Sequence, residues 1–291
     1  MGGTFSRSWA MTKESWAVLR SDKTLVLFPL ISSAALIGVV ATFAVPTIIT
    51  LVDAGLFEEG ARHDQPISSG TQAILAVIAF AYYFVSFTVM NFFNVALVGA
   101  AMERFAGREA GVQAGLRIAV QRIPQILLWS ALAATVGMVL KMIEERVRGL
   151  GRIATALLGT AWAIATFFVV PVLAAEGVGP ITALKRSVAV LRKSWGEAAV
   201  TRIGVGAVFT VLLLLVILGG AVAVTATWVL TQSVAGAIAV GAVAVLAVLG
   251  LSLVSTTLQT ILQAAVYTYA ANDRVPQGFQ PETLRGVFQR K

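Results

Sequence analysis

The side chains best placed to do chemistry in this sequence are the hydroxyls and amides Ser252, Thr256, Gln259, Gln263 and Tyr267, set in a long apolar run. They recur at steps of four, three, four and four, so in an α-helix they share one face. Asn91 and Asn94 interrupt a second apolar run, and Glu176 stands at the end of a third. Polar groups at such depth are costly against lipid and are expected to point into a helix bundle. Two kinds of chemistry fit. The groups could line a polar cavity open to the cytoplasm, or they could hydrogen-bond between helices, at about 0.6 to 2 kcal/mol each. Glu176, close to Lys185 and Arg186, could couple protons or cations, or it could pair with a basic residue or cap the next helix.

Other chemistry is thinly represented. Glu58, Glu59, His63 and Asp64 are metal-ligand types, but a lone histidine in an acidic loop reads as solvated surface, and no metal or cofactor is expected. The absence of cysteine excludes disulfides, thiolate metal sites and cysteine catalysis. With no nucleophile elbow, phosphate loop, zincin motif or paired catalytic carboxylates, the chain is not expected to be an enzyme.

The elements that must position these residues follow from composition. Of the 291 residues 58% are hydrophobic and 12% charged, where soluble domains carry about a quarter charged residues. About 20 apolar residues cross a bilayer. Six runs qualify, at about Leu25–Val52, Ala73–Met102, Ile126–Ile143, Ile153–Ala175, Ile203–Leu230 and Val234–Ala271. Bends are expected at Pro29 and Pro46. Thr231, Gln232 and Ser233 make a tight turn before the last run, which is longer than a bilayer needs and must tilt, break or project. The predicted fold is all-α: a polytopic membrane helical bundle of six transmembrane helices, with three interfacial amphipathic helices preceding spans 1, 3 and 5. It forms a single transmembrane domain over residues 1–271, with pseudo-repeats at about 5–102, 111–175 and 179–271 and a short cytoplasmic tail at 272–291.

The amphipathic segments carry the repeat. KESWAVLR at Lys13–Arg20 and KRSVAVLR at Lys185–Arg192 nearly coincide. Their predicted apolar stripes are Phe5, Trp9, Trp16 and Leu19 in the first segment and Ile181, Leu184, Val188, Leu191 and Trp195 in the third. A weaker middle copy has Val112, Leu116, Ala119, Val120 and Ile123. The cations Lys13, Arg20, Arg117, Arg122, Lys185, Arg186, Arg192 and Lys193 are expected at anionic lipid headgroups, at about 1 kcal/mol each.

The formal charge of +8 is concentrated beside apolar runs, which points to membrane lipids and away from nucleic acid as the partner. With both termini inside, 17 of the 22 Lys and Arg fall on the inner side, leaving Arg62, Lys141, Arg146, Arg148 and Arg152 outside. Lys141 is close enough to the end of span three to snorkel. The basic connection between spans three and four leaves a re-entrant or interfacial pair as the alternative for those two runs.

FSRSWAMTKESWAVLRSDKTLVLFPLIS at Phe5–Ser32, WAIATFFVVPVLAAEGVGPITALKRS at Trp162–Ser187 and the helix-plus-hairpin layout together resemble a widespread family of uncharacterised bacterial and archaeal six-span membrane proteins. The pattern P-x-L-x-x-E-x-x-x-P-x-x-A-L-K-R-S from Pro171 to Ser187 is similar, more loosely, to the membrane domain attached to some bacterial glycerophosphodiester phosphodiesterases. These residues hold no phosphodiesterase catalytic domain, so that activity is not implied. The resemblance implies a multi-pass protein of the plasma membrane. The expected role is a non-enzymatic scaffold or accessory subunit that binds lipid, a protein partner or a second copy of itself. The alternative is a small-molecule or lipid transporter using the cavity under the polar stripe.

Overall fold

Long apolar runs with few charges form helices because a helix satisfies its own backbone groups wherever water is excluded. The computed structural model describes residues 2–55, 68–108, 111–147, 150–193 and 197–281. Glu58, Glu59, His63, Asp64 and Trp195 lie outside the described residues, as do the side chains of Phe5 and Trp9. In chain order the helices are α1 (Gly2–Ser21), α2 (Leu27–Asp53), α3 (Ser69–Phe105), α4 (Val112–Gln121), α5 (Ile123–Arg146), α6 (Leu150–Ala165), α7 (Val169–Glu176), α8 (Pro180–Lys193), α9 (Glu197–Thr231) and α10 (Val234–Asn272). A short 3-10 turn, Lys23–Val26, leads into α2. Among the described residues six segments are long and apolar enough to cross a membrane: Lys23–Asp53, Ser69–Phe105, Ile123–Arg146, Ile153–Glu176, Phe209–Thr231 and Val234–Asn272. They correspond to the six runs read from the sequence, and spans three and four are each 24 residues long.

The prolines act differently from one another. The 3-10 turn gives way to α2 just before Pro29, whereas Pro46 sits inside a helix that continues through it. Span four is not one helix. It breaks at Thr166–Phe168 between α6 and α7, which places Pro171 in the first turn of α7. A proline there lacks only a donor that a helix start leaves unused, and the break spares its ring a clash with the carbonyl four residues back.

The chain divides into two compact units. The first comprises residues 1–29, 97–115 and 189–291. Within it α1 packs against α9 and α10, and α9 packs along α10. Met11, Ser15, Val18 and Leu19 are buried while Trp16 is 41% exposed, with the Arg20 guanidinium 5.9 Å from the centre of its ring. Of the predicted stripe, Leu19 is thus buried against the bundle while Trp16 stays outward. Gln232, in the left-handed region at φ 50°, turns the chain between α9 and α10, and Ser233 caps α10 by accepting from the Gly236 N–H at 3.1 Å.

The segment after α10 returns to the end of α3 within this unit. The Gln277 N–H donates to the Phe105 carbonyl at 3.2 Å, and Phe279, 6% exposed, meets the Phe105 ring edge-on at 5.7 Å. The second unit comprises residues 30–96 and 116–188 and includes the packed pair α5 and α6, across which Trp129 stacks on Trp162 at 5.9 Å.

Candidate functional site

The Pro171–Ser187 pattern folds into a corner, and each marked residue has a structural task there. Pro171 starts α7, and Leu173 is fully buried. Gly177 ends α7 in the left-handed region at φ 61°, a conformation that glycine adopts without strain. A Cβ on residue 177 would also overlap the guanidinium of Arg122, and the Gln125 amide donates to the Gly177 carbonyl at 3.1 Å. Pro180 opens α8 at a position that suits its fixed φ. Glu176 pairs with the Arg186 Nε at 3.2 Å, which is the ion-pair reading of this carboxylate.

Ser187 closes the corner. Its hydroxyl is fully buried, accepts from the Phe168 N–H at 2.9 Å and donates to the Ala165 carbonyl at 2.7 Å. Those are the backbone groups that the break in span four takes out of helical pairing. A buried unpaired N–H or carbonyl costs about 1–3 kcal/mol, so one hydroxyl offsets a penalty on each side of the break.

A buried face of α8 lies beside the predicted stripe. Ala183, Ser187, Val190 and Leu191 are buried, whereas Ile181 is 55% exposed and Leu184 and Val188 are half-buried. At 3.6 residues per turn the helix surface falls into three faces. One is buried (Ala183, Ser187, Val190, Leu191), one is apolar and largely outward (Ile181, Leu184, Val188), and one is basic and exposed (Lys185, Arg186, Arg192, Lys193).

The middle segment is likewise divided between buried and exposed apolar residues. In α4 and at the start of α5, Ala119 is buried but Val120 is 55% and Ile123 40% exposed. Arg122, expected at the lipid surface, is half-buried against Gly177. Lys13, Arg20 and Arg117 are exposed.

The candidate polar residues divide between the units. In the second, the Asn91 amide donates to the Ser130 hydroxyl at 3.1 Å, a buried bond between α3 and α5 of the kind that holds bundles together. Asn94 is half-buried. In the first, α10 carries the whole stripe. Ser252, Gln259 and Gln263 are half-buried, Thr256 is exposed and Tyr267 is 2% exposed. Gln259 donates to the Ser255 hydroxyl of its own helix at 3.0 Å, so at that position the side chain is engaged locally. Among the described residues no group of three or more metal-ligating side chains converges.

Sequence reasoning missed Ser187, Gly177 and Gly220. The first two sit inside the quoted pattern but carry no periodic signal of their own. A Cβ at Gly220 would lie 2.7 Å from the Ala244 Cβ, so α9 and α10 approach closely there, more tightly than at Gly241, whose Cβ would stand 3.7 Å from the Val224 side chain. Small residues at such crossings let helix backbones meet in lipid.

No curated protein matches the chain. A family model does match residues 73–278, which take in every element of the corner, the Asn91–Ser130 bond and the whole α10 stripe. The chain thus belongs to DUF6159, a family of unknown function, and its described residues hold six segments long and apolar enough to cross a membrane.

Proposed function

We propose that the protein is a non-enzymatic plasma-membrane scaffold or accessory subunit that gathers anionic lipid, or a partner protein, along its basic helices, with both termini on the cytoplasmic side. The observation that carries this reading is the three-faced α8. Its buried face is pinned by Ser187, which frees the apolar face for the acyl boundary and holds Lys185, Arg192 and Lys193 outward. A helix with apolar and cationic faces both unoccupied by the bundle suits the headgroup region. The placement of 17 of 22 cations on one side supports the orientation. Vesicles of equal parts phosphatidylcholine and phosphatidylglycerol test the function. Spin-labelled phosphatidylglycerol is expected to be enriched around the wild-type protein, and that enrichment is expected to fall in Lys185→Gln/Arg192→Gln/Lys193→Gln. Unchanged enrichment would sink the reading. Reporters fused at Met1 and Lys291 are expected on the same face of the membrane.

The second reading, a small-molecule or lipid transporter, has the break in span four in its favour, because interrupted helices line many transport sites. Here, however, the backbone groups at the break are taken up by Ser187, which favours a structural break. Cysteines placed at Asn94 and Gln263 decide the matter. The scaffold reading expects no reaction with a water-soluble thiol reagent in membranes, and the transporter reading expects both to react.

A further inference from the structure

In the second unit the C-terminal half of α2 and the N-terminal half of α3 part to leave a groove of about 550 Å³, within the size range of pockets that hold a discrete ligand. Phe43, Thr47 and Ile48 line it from α2, Ile78 and Tyr82 from α3, and Lys141 from α5. Phe43 and Tyr82 touch edge-on at 5.9 Å between the two helices, while Val40 and Ile48 are 51% and 54% exposed along the opening. Every lining residue other than Lys141 is uncharged.

Lys141 is exposed and forms no ion pair among the described residues, although Glu144 and Glu145 follow it by three and four positions on the same helix. An ammonium group inside a spanning segment needs a counter-charge or access to the interface. Lys141 lies five residues before the end of α5, a rise of about 7.5 Å, so its four-carbon stem can bring the ammonium to headgroup level. The groove therefore has an apolar trough opening sideways and one cation at the depth of phosphate.

We propose that this groove is a phospholipid site, with one acyl chain lying between α2 and α3 and the anionic phosphate of the headgroup meeting the Lys141 ammonium. The lining is mostly apolar, with the Thr47 hydroxyl already donating to the Phe43 carbonyl and only the Tyr82 and Tyr83 hydroxyls beside Lys141, so an acyl chain fits it better than a polar solute, and the single charge favours an anionic head. A compact ammonium suits phosphate as a point charge. This site is separate from the basic face of α8 and does not depend on it.

The test uses the full chain reconstituted in vesicles of equal parts phosphatidylcholine and phosphatidylglycerol, then released intact for mass spectrometry. One phosphatidylglycerol is expected to remain on the wild-type protein. Lys141→Gln is expected to lower its occupancy about fivefold, the equivalent of about 1 kcal/mol for one interfacial cation, and Lys141→Arg is expected to keep it. Ile48→Trp, which fills the trough, is expected to displace the lipid with Lys141 intact, and Lys185→Gln/Arg192→Gln/Lys193→Gln is expected to leave it bound. Wild-type occupancy in Lys141→Gln would overturn the proposal. So would equal retention of phosphatidylcholine, or loss of the lipid only in the α8 variant.

Discussion

The hydroxyl of Ser187 stands 2.9 Å from the backbone nitrogen of Phe168, nineteen positions earlier, and returns its own proton to the Ala165 carbonyl at 2.7 Å. A surface helix and a broken span are thereby joined through one buried side chain. Ser187→Ala is expected to leave an N–H and a carbonyl unpaired, with a loss of about 1–3 kcal/mol. Unfolding by graded denaturing detergent would measure it, and Ser187→Thr, which keeps the hydroxyl, is expected to recover part of the loss.

Gly177→Ala faces two obstacles, the positive φ of 61° and the guanidinium of Arg122. The left-handed conformation alone costs a non-glycine residue about 1–2 kcal/mol. Adding Arg122→Ala is expected to relieve the overlap but not the backbone cost. The double variant should then be more stable than the sum of the two single changes predicts, a difference that a double-mutant cycle reads directly.

The Asn91–Ser130 bond crosses from α3 to α5 inside one unit. Asn91→Leu and Ser130→Ala are expected to couple by about 0.6–1.7 kcal/mol in a double-mutant cycle, the range seen for interhelical bonds in lipid. A coupling near zero would show that Asn91 is held by something other than Ser130.

Gly220→Val puts a branched side chain where even a Cβ would stand 2.7 Å from the Ala244 Cβ. Overpacking of this kind costs about 1–3 kcal/mol. Because the contact is with the Ala244 methyl, Ala244→Gly in the same chain is expected to restore part of the stability.

Phe279→Ala removes the ring that meets Phe105 and is expected to release the docked segment. Trypsin cleavage at the exposed Arg274 should then be faster than in the wild-type protein, while the thermal midpoint of the helical bundle changes little.

What the sequence determined by itself was local. Six long apolar runs, uncharged but for Lys141 in the third, can only be satisfied as helices where water is excluded, so their number and approximate ends were legible, as was the turn at Thr231–Ser233. The segregation of charge on Lys185–Lys193 was equally legible, because a 3.6-residue period shows in a single helix. Which face of that helix is buried was decided by tertiary structure. Beside the apolar stripe of Ile181, Leu184 and Val188, Ala183 and Ser187 are buried, and the Ser187 hydroxyl closes the break in span four, a need that periodicity does not record. Tertiary structure likewise leaves Trp16 41% exposed beside the buried Leu19 and sets Arg122 against a glycine 55 residues away. Periodicity records how polar a face is, whereas packing chooses by shape and by which backbone groups need a partner, and those needs arise only once distant segments have met.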